Sequence, residues 1–120
     1  MTGPVFRFDD ISRSEDGDAL SGSCLVAAEM PFFNGHFPDF PIMPAAAQIE
    51  MIHSLLQQHT DWNAIIAGGR GLKFSGRIRP GDNLTVRVRH TASGRISFSV
   101  ENRTSVVSKG VLQLAGGALD

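Results

Sequence analysis

Residues 32–59 read FFNGHFPDFPIMPAAAQIEMIHSLLQQH, and this stretch decides the fold. Prolines at positions 31, 38, 41 and 44 prevent residues 30–44 from forming one regular helix. After Pro44 the residues are mostly helix formers without glycine or proline, and proline suits the first position of a helix. Small and apolar side chains occupy much of the circumference of this segment. The pattern therefore predicts a buried helix over residues 45–59.

The remainder of the chain predicts antiparallel strands. Apolar and polar side chains alternate over residues 84–90 and 95–101, as they do in strands with one buried face. Turn-forming residues lie at 80–82, 93–94 and 102–104. Further strands are expected over residues 5–11, 20–28, 65–78 and 106–114. We therefore expect an α+β fold with consecutive antiparallel strands wrapped around one buried helix.

Size and composition exclude several classes of protein. A chain of 120 residues suits one domain over residues 1–120. The net charge of −1 argues against nucleic-acid binding, and no apolar run reaches the ~18–20 residues of a membrane span. The first residues lack a secretory signal pattern. The single cysteine, Cys24, cannot form an internal disulfide, which favours a reducing compartment and a cytoplasmic protein.

The loop before the helix carries the most specific motif. It contains the run Gly35-His36-Phe37-Pro38, two further prolines at positions 41 and 44, and Glu50 on the helix beyond. The later stretches Leu72-Lys73-Phe74 and Arg79-Pro80-Gly81-Asp82 complete the pattern. Together these residues resemble the bacterial 3-hydroxyacyl-acyl-carrier-protein dehydratases, which are hot-dog-fold enzymes of fatty acid synthesis. The resemblance covers about residues 30–90.

The resemblance implies a hot-dog fold and the dehydration of (3R)-3-hydroxyacyl thioesters to trans-2-enoyl thioesters. His36 and Glu50 match the catalytic pair of that family. The family also implies a homodimer or higher even oligomer, in which His36 of one subunit meets Glu50 of the other. The substrate would be carried on the phosphopantetheine of an acyl carrier protein or of coenzyme A, with no further cofactor.

The chemistry of dehydration agrees with these residue types. A histidine is neutral near pH 7 and can remove a proton from C2, while a carboxyl group can protonate the hydroxyl that leaves C3. Backbone N–H groups at a helix N-terminus can stabilise charge on the thioester oxygen. Substrate contacts are accordingly expected from Gly35, Phe37, Pro44, Ala45, Ala46 and Phe74.

A group of basic residues surrounds the second part of the motif. Arg70, Lys73, Arg77 and Arg79 could form a positive surface that binds an acidic carrier protein. An ordinary solvated strand face would carry the same residues, and the sequence does not separate these two interpretations.

Each catalytic candidate also has a structural interpretation. His36 can be a packing histidine beside aromatic residues, and Glu50 can be held in an inert salt bridge. His53 lies three residues after Glu50, as in a metal pair, but no third ligand is evident and no metal site is expected. The family favours glycine where this chain has Ala45, and a small residue where it has Met51. These departures point to a divergent member of the family.

Two other functions share this pattern in part. A hot-dog thioesterase would use the helix carboxylate to activate water, although thioesterases generally lack the complete histidine loop. A catalytically silent acyl-binding subunit would bind acyl thioesters without turnover, and the departures at Ala45 and Met51 would reflect its lost activity.

Overall fold

One helix and six strands form the part of the protein that the structure, a computed structural model, describes. That part comprises residues 6–30, 43–60, 62, 65–92 and 94–115. In chain order the elements are β1 (Asp9–Arg13), β2 (Ala19–Leu25), α1 (Ala45–His59), β3 (Ile66–Phe74), β4 (Asn83–Ala92), β5 (Arg95–Glu101) and β6 (Val106–Leu114). The α+β expectation is confirmed, and the helix has the bounds that its sequence predicts.

The six strands form one antiparallel sheet in the order β1-β2-β4-β5-β6-β3. The expectation that consecutive strands are neighbours is wrong for β3, which pairs with β6 at the edge of the sheet. Alternation of side chains fixes which face of a strand is buried but not which strand lies beside it. Residues 75–82 therefore carry the chain from the β3 edge back to β4, inside the sheet.

The first two strands are displaced from their predicted positions. Phe6 and Phe8 are buried, which gives residues 5–11 the pattern of a strand, but both lie before β1. The pairing of β1 with β2 is irregular between Asp9 and Ser12, and Asp10 has a positive φ of 52°. β2 ends at Leu25 although the N–H of Val26 still donates in register to the carbonyl of Asp82 at 2.8 Å, because the N–H of Asp82 donates to the carbonyl of Arg79 in the turn and not back to Val26. Local hydrogen bonding overrides the apolar pattern here.

The core lies between α1 and one face of the sheet. The helix buries Ala47, Gln48, Met51, Ile52, Leu55 and Leu56, and the sheet contributes alternate residues of β4 and β5 such as Val86 and Phe98. The opposite side of α1 is exposed at Ala45, Ala46, Glu50, Gln57 and Gln58. The buried helix that the sequence predicts is thus buried on the side that packs against the sheet.

The link between β3 and β4 is held by close backbone contacts. The N–H groups of Ser75 and Gly76 both donate to the carbonyl of Val107, at 2.9 and 3.1 Å. A Cβ on Gly76 would lie 2.5 Å from Cγ1 of Val107, so only glycine permits this approach. Pro80 and Gly81, which has a φ of 94°, then form a turn closed by Asp82 N–H and the Arg79 carbonyl at 3.1 Å.

The buried Cys24 gives a test of this packing. Its side chain has no exposed surface, and burial raises the pKa of the thiol from 9.0 to about 11. The native thiol therefore stays protonated at pH 8, and we expect an aromatic disulfide reagent to label it only after unfolding in denaturant. The thiol has a lower pKa in the unfolded state than in the native protein, so it loses its proton there first. The free energy of unfolding should therefore fall as pH rises from about 9 towards 11. Rapid labelling of the native protein at pH 8 would contradict the buried position.

Candidate active site

Glu50 lies in the second turn of α1, on its exposed side. The next residue, Met51, is fully buried. These two adjacent residues therefore lie on the exposed and on the buried side of the helix. Within the part of the chain that the structure describes, Glu50 has no ion pair or side-chain hydrogen bond. The alternative of an inert, salt-bridged Glu50 therefore has no support among these residues.

The N-terminus of α1 offers hydrogen-bond donors on the same side. Pro44 is the N-cap, and the N–H groups of Ala47 and Gln48 donate to its carbonyl at 3.0 and 3.2 Å. The N–H groups of Ala45 and Ala46 precede these bonds and have no intrahelical acceptor. Among the described residues no side chain caps the helix, and its first turn contains no acidic residue. This end of the helix therefore presents positive partial charge to an oxygen atom that approaches it.

A backbone hydrogen bond joins the residue before Pro44 to the link that follows β3. The N–H of Met43 donates to the carbonyl of Ile78 at 2.8 Å, and both residues are buried. Phe74 is the last residue of β3, is half-buried, and pairs with Ser108 of β6. The start of α1, with Pro44, Ala45 and Ala46, is thus joined to the link that follows Phe74. All four of these residues are expected to contact substrate.

The rest of the predicted site lies outside the described residues. This is so for Gly35, His36 and Phe37, which belong to residues 31–42. The pairing of His36 with Glu50 therefore stays a prediction.

The four basic residues are all exposed. Arg70 and Lys73 are on β3 opposite Val111 and Lys109 of β6, and Arg77 and Arg79 follow in the link to β4. None of these four forms an ion pair with another residue in the described ranges. Lys109 extends the same positive surface, because it lies directly across the sheet from Lys73. Lys109 was not predicted as part of this surface, because it becomes a neighbour of Lys73 only through the pairing of β3 with β6.

Sequence analysis also missed Gln48, a polar residue on the inner side of α1. Its side chain is 3% exposed, and its Nε2 donates to the carbonyl of Met43 over a long 3.4 Å. Its Oε1 has no hydrogen-bond partner within the described part of the chain. A signal was present, because position 48 lies in helical register with the apolar residues 51, 52 and 55.

No three His, Cys, Asp or Glu side chains of the described residues are grouped as metal ligands would be. No helix in the described ranges has the length and apolar character needed to cross a membrane.

The chain matches one protein family, described as ApeI-like, ApeI dehydratase, over residues 12–111. A 3-hydroxyacyl-[acyl-carrier-protein] dehydratase FabZ of Bacillus velezensis is 34% identical over 92 residues, which cover 71% of this chain and 65% of that protein. The chain thus spans about two thirds of the length of this curated relative. The resemblance recognised in the sequence is confirmed.

Solved structures share the fold. The dehydratase heterocomplex ApeI:P from Xenorhabdus doucetiae superposes with a TM-score of 0.78 at 18% identity, covering 96% of this chain and all of that one. A hypothetical thioesterase with coenzyme A from Streptococcus pneumoniae gives a TM-score of 0.63 at 12% identity, covering 92% of this chain and 88% of that one. The six-stranded antiparallel sheet packed on one helix is the hot-dog fold that the sequence predicts.

The sidedness of α1 predicts losses of stability of very different size for two adjacent substitutions. Glu50→Ala should change the free energy of unfolding by less than about 0.5 kcal/mol, because an exposed carboxylate is removed. Met51→Ala should cost about 2–5 kcal/mol, because it leaves a cavity in the core. Urea unfolding of both variants measures the difference. A loss of several kcal/mol in Glu50→Ala would contradict the exposed position.

Proposed function

Because the chain belongs to the ApeI-like dehydratase family, we propose that it dehydrates (3R)-3-hydroxyacyl thioesters to trans-2-enoyl thioesters in fatty acid or related acyl-chain biosynthesis. The observation that carries the proposal is the exposed side of α1. It presents the carboxylate of Glu50 and the N–H groups of Ala45 and Ala46 together. A carboxyl group and helix N-terminal donors are the groups that loss of water from a thioester requires.

In the proposed reaction each atom has a defined destination. His36 removes the proton from C2, and the N–H groups of Ala45 and Ala46 bind the thioester oxygen as negative charge develops on it. Glu50 donates a proton to the hydroxyl on C3, the C3–O bond breaks, and water leaves as the C2=C3 double bond forms. Proton exchange with solvent restores both side chains. Every step uses a protein group, so we propose no metal and no cofactor beyond the phosphopantetheine of the substrate.

We propose that the site is completed by a second subunit. All residues of β3 from 67 to 73 are exposed, and the edge of this strand opposite β6 has no partner among the residues that the structure describes. Ile65 and Leu72 expose 57% and 40% of their surface beside it. An open edge with exposed aliphatic side chains favours pairing with another strand. The preferred partner is a second copy, although the Xenorhabdus relative is a heterocomplex.

Mixed dimers test the function and the shared site together. His36→Ala and Glu50→Ala should each lower hydration of a crotonyl thioester by about a hundredfold or more, the scale of lost acid–base catalysis. If each site takes one residue from each subunit, a mixed dimer contains one intact site. Random reassociation makes half of the dimers mixed, so about a quarter of wild-type activity should return. The readout is the ultraviolet absorbance of the enoyl thioester.

The controls separate the competing functions. Each variant refolded alone should stay inactive, and verified mixed dimers that remain inactive would reject the shared site. A thiol dye in the same assay detects hydrolysis, so thiol release without hydration would identify a thioesterase. Wild-type protein that binds acyl thioesters without hydration or hydrolysis would be a silent acyl-binding subunit.

We also propose that the exposed basic residues bind an acidic carrier protein. Arg70, Lys73, Arg77 and Arg79, with Lys109 beside them, place positive charge on and next to the β3 edge. A chain with a net charge of −1 that concentrates cations at one edge is suited to an acidic partner. Carrier-borne substrate and a single buried thiol both fit a reducing compartment, and we propose the cytoplasm.

Salt should therefore affect the two forms of substrate differently. Between about 0.05 and 0.5 M NaCl, kcat/KM for carrier-bound substrate should fall several-fold, because ions screen charges at the protein surface. A short neutral thioester should show little change, since it does not contact the basic residues. Lys73→Ala combined with Arg77→Ala should reproduce the effect at low salt. An equal response of both substrates to salt would reject the docking surface.

A further inference from the structure

The outer face of the sheet, which is the face turned away from α1, contains an open groove of about 470 Å³ across β1, β2, β4 and β5. Five serines and two arginines, Arg87 and Arg89, are the polar residues that line it. Leu20, Val88 and Phe98 also line it, but their side chains are buried on the inner face, so they contribute mainly backbone to its floor. The groove therefore offers little apolar surface, and an acyl chain does not suit it.

Strand pairing leaves both arginines of the groove uncovered. Large β-branched and aromatic residues are the usual side chains of strands, and beside an arginine they would cover it. The cross-strand neighbours here are all small, namely Ser21 and Ser99 beside Arg87, and Ala19 and Ser97 beside Arg89. These small residues give the groove its depth and keep both guanidinium groups accessible to a ligand.

The serines of the groove carry hydrogen-bonding groups that the described structure does not use. Ser14 is engaged, because its hydroxyl donates to Asp16 and accepts the N–H of Ala19 at 3.0 Å. The other four, at positions 12, 21, 97 and 99, form no side-chain hydrogen bond with a described residue. Each of these hydroxyls can donate one hydrogen bond. A ligand that fits this groove therefore presents several acceptor oxygens.

The two arginines also keep donors for a ligand. Arg87 donates to Glu101 through Nε at 3.1 Å, which holds the guanidinium in place and leaves its two terminal nitrogens available. Nη1 of Arg89 lies 3.8 Å from Oδ2 of Asp16, too far for a hydrogen bond. Neither acid lines the groove, and Lys109 of β6 adds a third cation directly beside it. The three cations outnumber the two acids, so the groove favours an anion.

The spacing of the arginines indicates the size of that anion. Residues 87 and 89 point to the same face of β4 and lie about 7 Å apart along the strand. An arginine binds phosphate through two parallel N–H···O bonds, so one phosphate group occupies one guanidinium. Two adjacent phosphates can contact both arginines and the hydroxyls of the strands on either side.

We propose that the groove on the outer face binds the diphosphate group of a small molecule. One phosphate contacts Arg87, with Ser21 and Ser99 as its neighbours, and the other contacts Arg89 beside Ser97. The groove lies on the opposite face of the sheet from α1, which carries Glu50. The inference is therefore independent of the proposed dehydration and stands or falls by its own measurements.

Isothermal titration calorimetry with pyrophosphate at low salt, without divalent cations, tests the site. Wild-type protein should bind one pyrophosphate per chain, and about tenfold more tightly than inorganic phosphate or sulfate, which can engage only one guanidinium. Arg87→Ala and Arg89→Ala should each weaken binding by about tenfold or more, as loss of hydrogen bonds to a charged group does. Arg103→Ala is the matched control, because it removes the same charge from the exposed β5–β6 turn, outside the groove. Its affinity should stay within about twofold of the wild type, since exposed charges at a distance are screened.

Free and nucleotide-linked diphosphates share this chemistry, so ADP and coenzyme A are titrated in parallel. Only binding that Arg87→Ala weakens is assigned to the groove, because coenzyme A held near α1 would keep its affinity in that variant. Tighter binding of ADP or coenzyme A than of pyrophosphate identifies a nucleotide as the ligand. Weaker binding of both identifies inorganic pyrophosphate.

A double substitution separates a built site from surface charge. Ser21→Val with Ser99→Val keeps every charge, removes two hydroxyls and narrows the groove with side chains that suit strands. It should weaken pyrophosphate binding by about tenfold or more, with an unchanged circular dichroism spectrum. Unchanged affinity in this variant would mean that charge alone attracts the anion, and would overturn the site. Wild-type protein that binds no pyrophosphate, or arginine variants that bind it as tightly as the wild type, would overturn it as well.

Discussion

The packing of the apolar side of α1 against the inner face of the sheet is the interaction on which the rest of the structure depends. Met51, Ile52 and Leu55 are completely buried there, and each such side chain contributes about 1.5–3 kcal/mol. This packing fixes the rotation of the helix about its own axis. Glu50 is outside and Gln48 is inside because neither can change sides without exposing the apolar residues around it.

The sequence predicted the elements whose patterns are long and regular. The bounds of α1, β5 and β6 agree with the structure, because helix-forming composition and strict alternation depend only on neighbouring residues. The partner of β3 was beyond that reasoning, since pairing with β6 joins residues such as Lys73 and Lys109 that are far apart in the chain. β1 was misplaced because Phe6 and Phe8 are buried without belonging to a strand.

The candidate site was predictable to a similar degree. The motif identified Glu50, and the helix pattern placed it on α1, but its exposure followed only from the one-sided sheet. Gln48 could be noticed as a polar residue in an apolar register, yet its unpaired Oε1 is a property of the surrounding atoms and not of the sequence. The sequence does not determine which residues from other elements surround each of these side chains.

The seating of Gly76 against Val107 has a consequence for how proteins of this kind can diverge. Two N–H groups share one carbonyl there, and the contact leaves no room for a methyl group. An inserted or deleted residue between β3 and β4 would shift Ile78 away from Met43 and so disturb the start of α1. Changes in chain length are therefore much easier to accommodate at the exposed 103–105 turn, where the surrounding contacts are local. The β3–β4 link can therefore change its side chains during evolution but not its length.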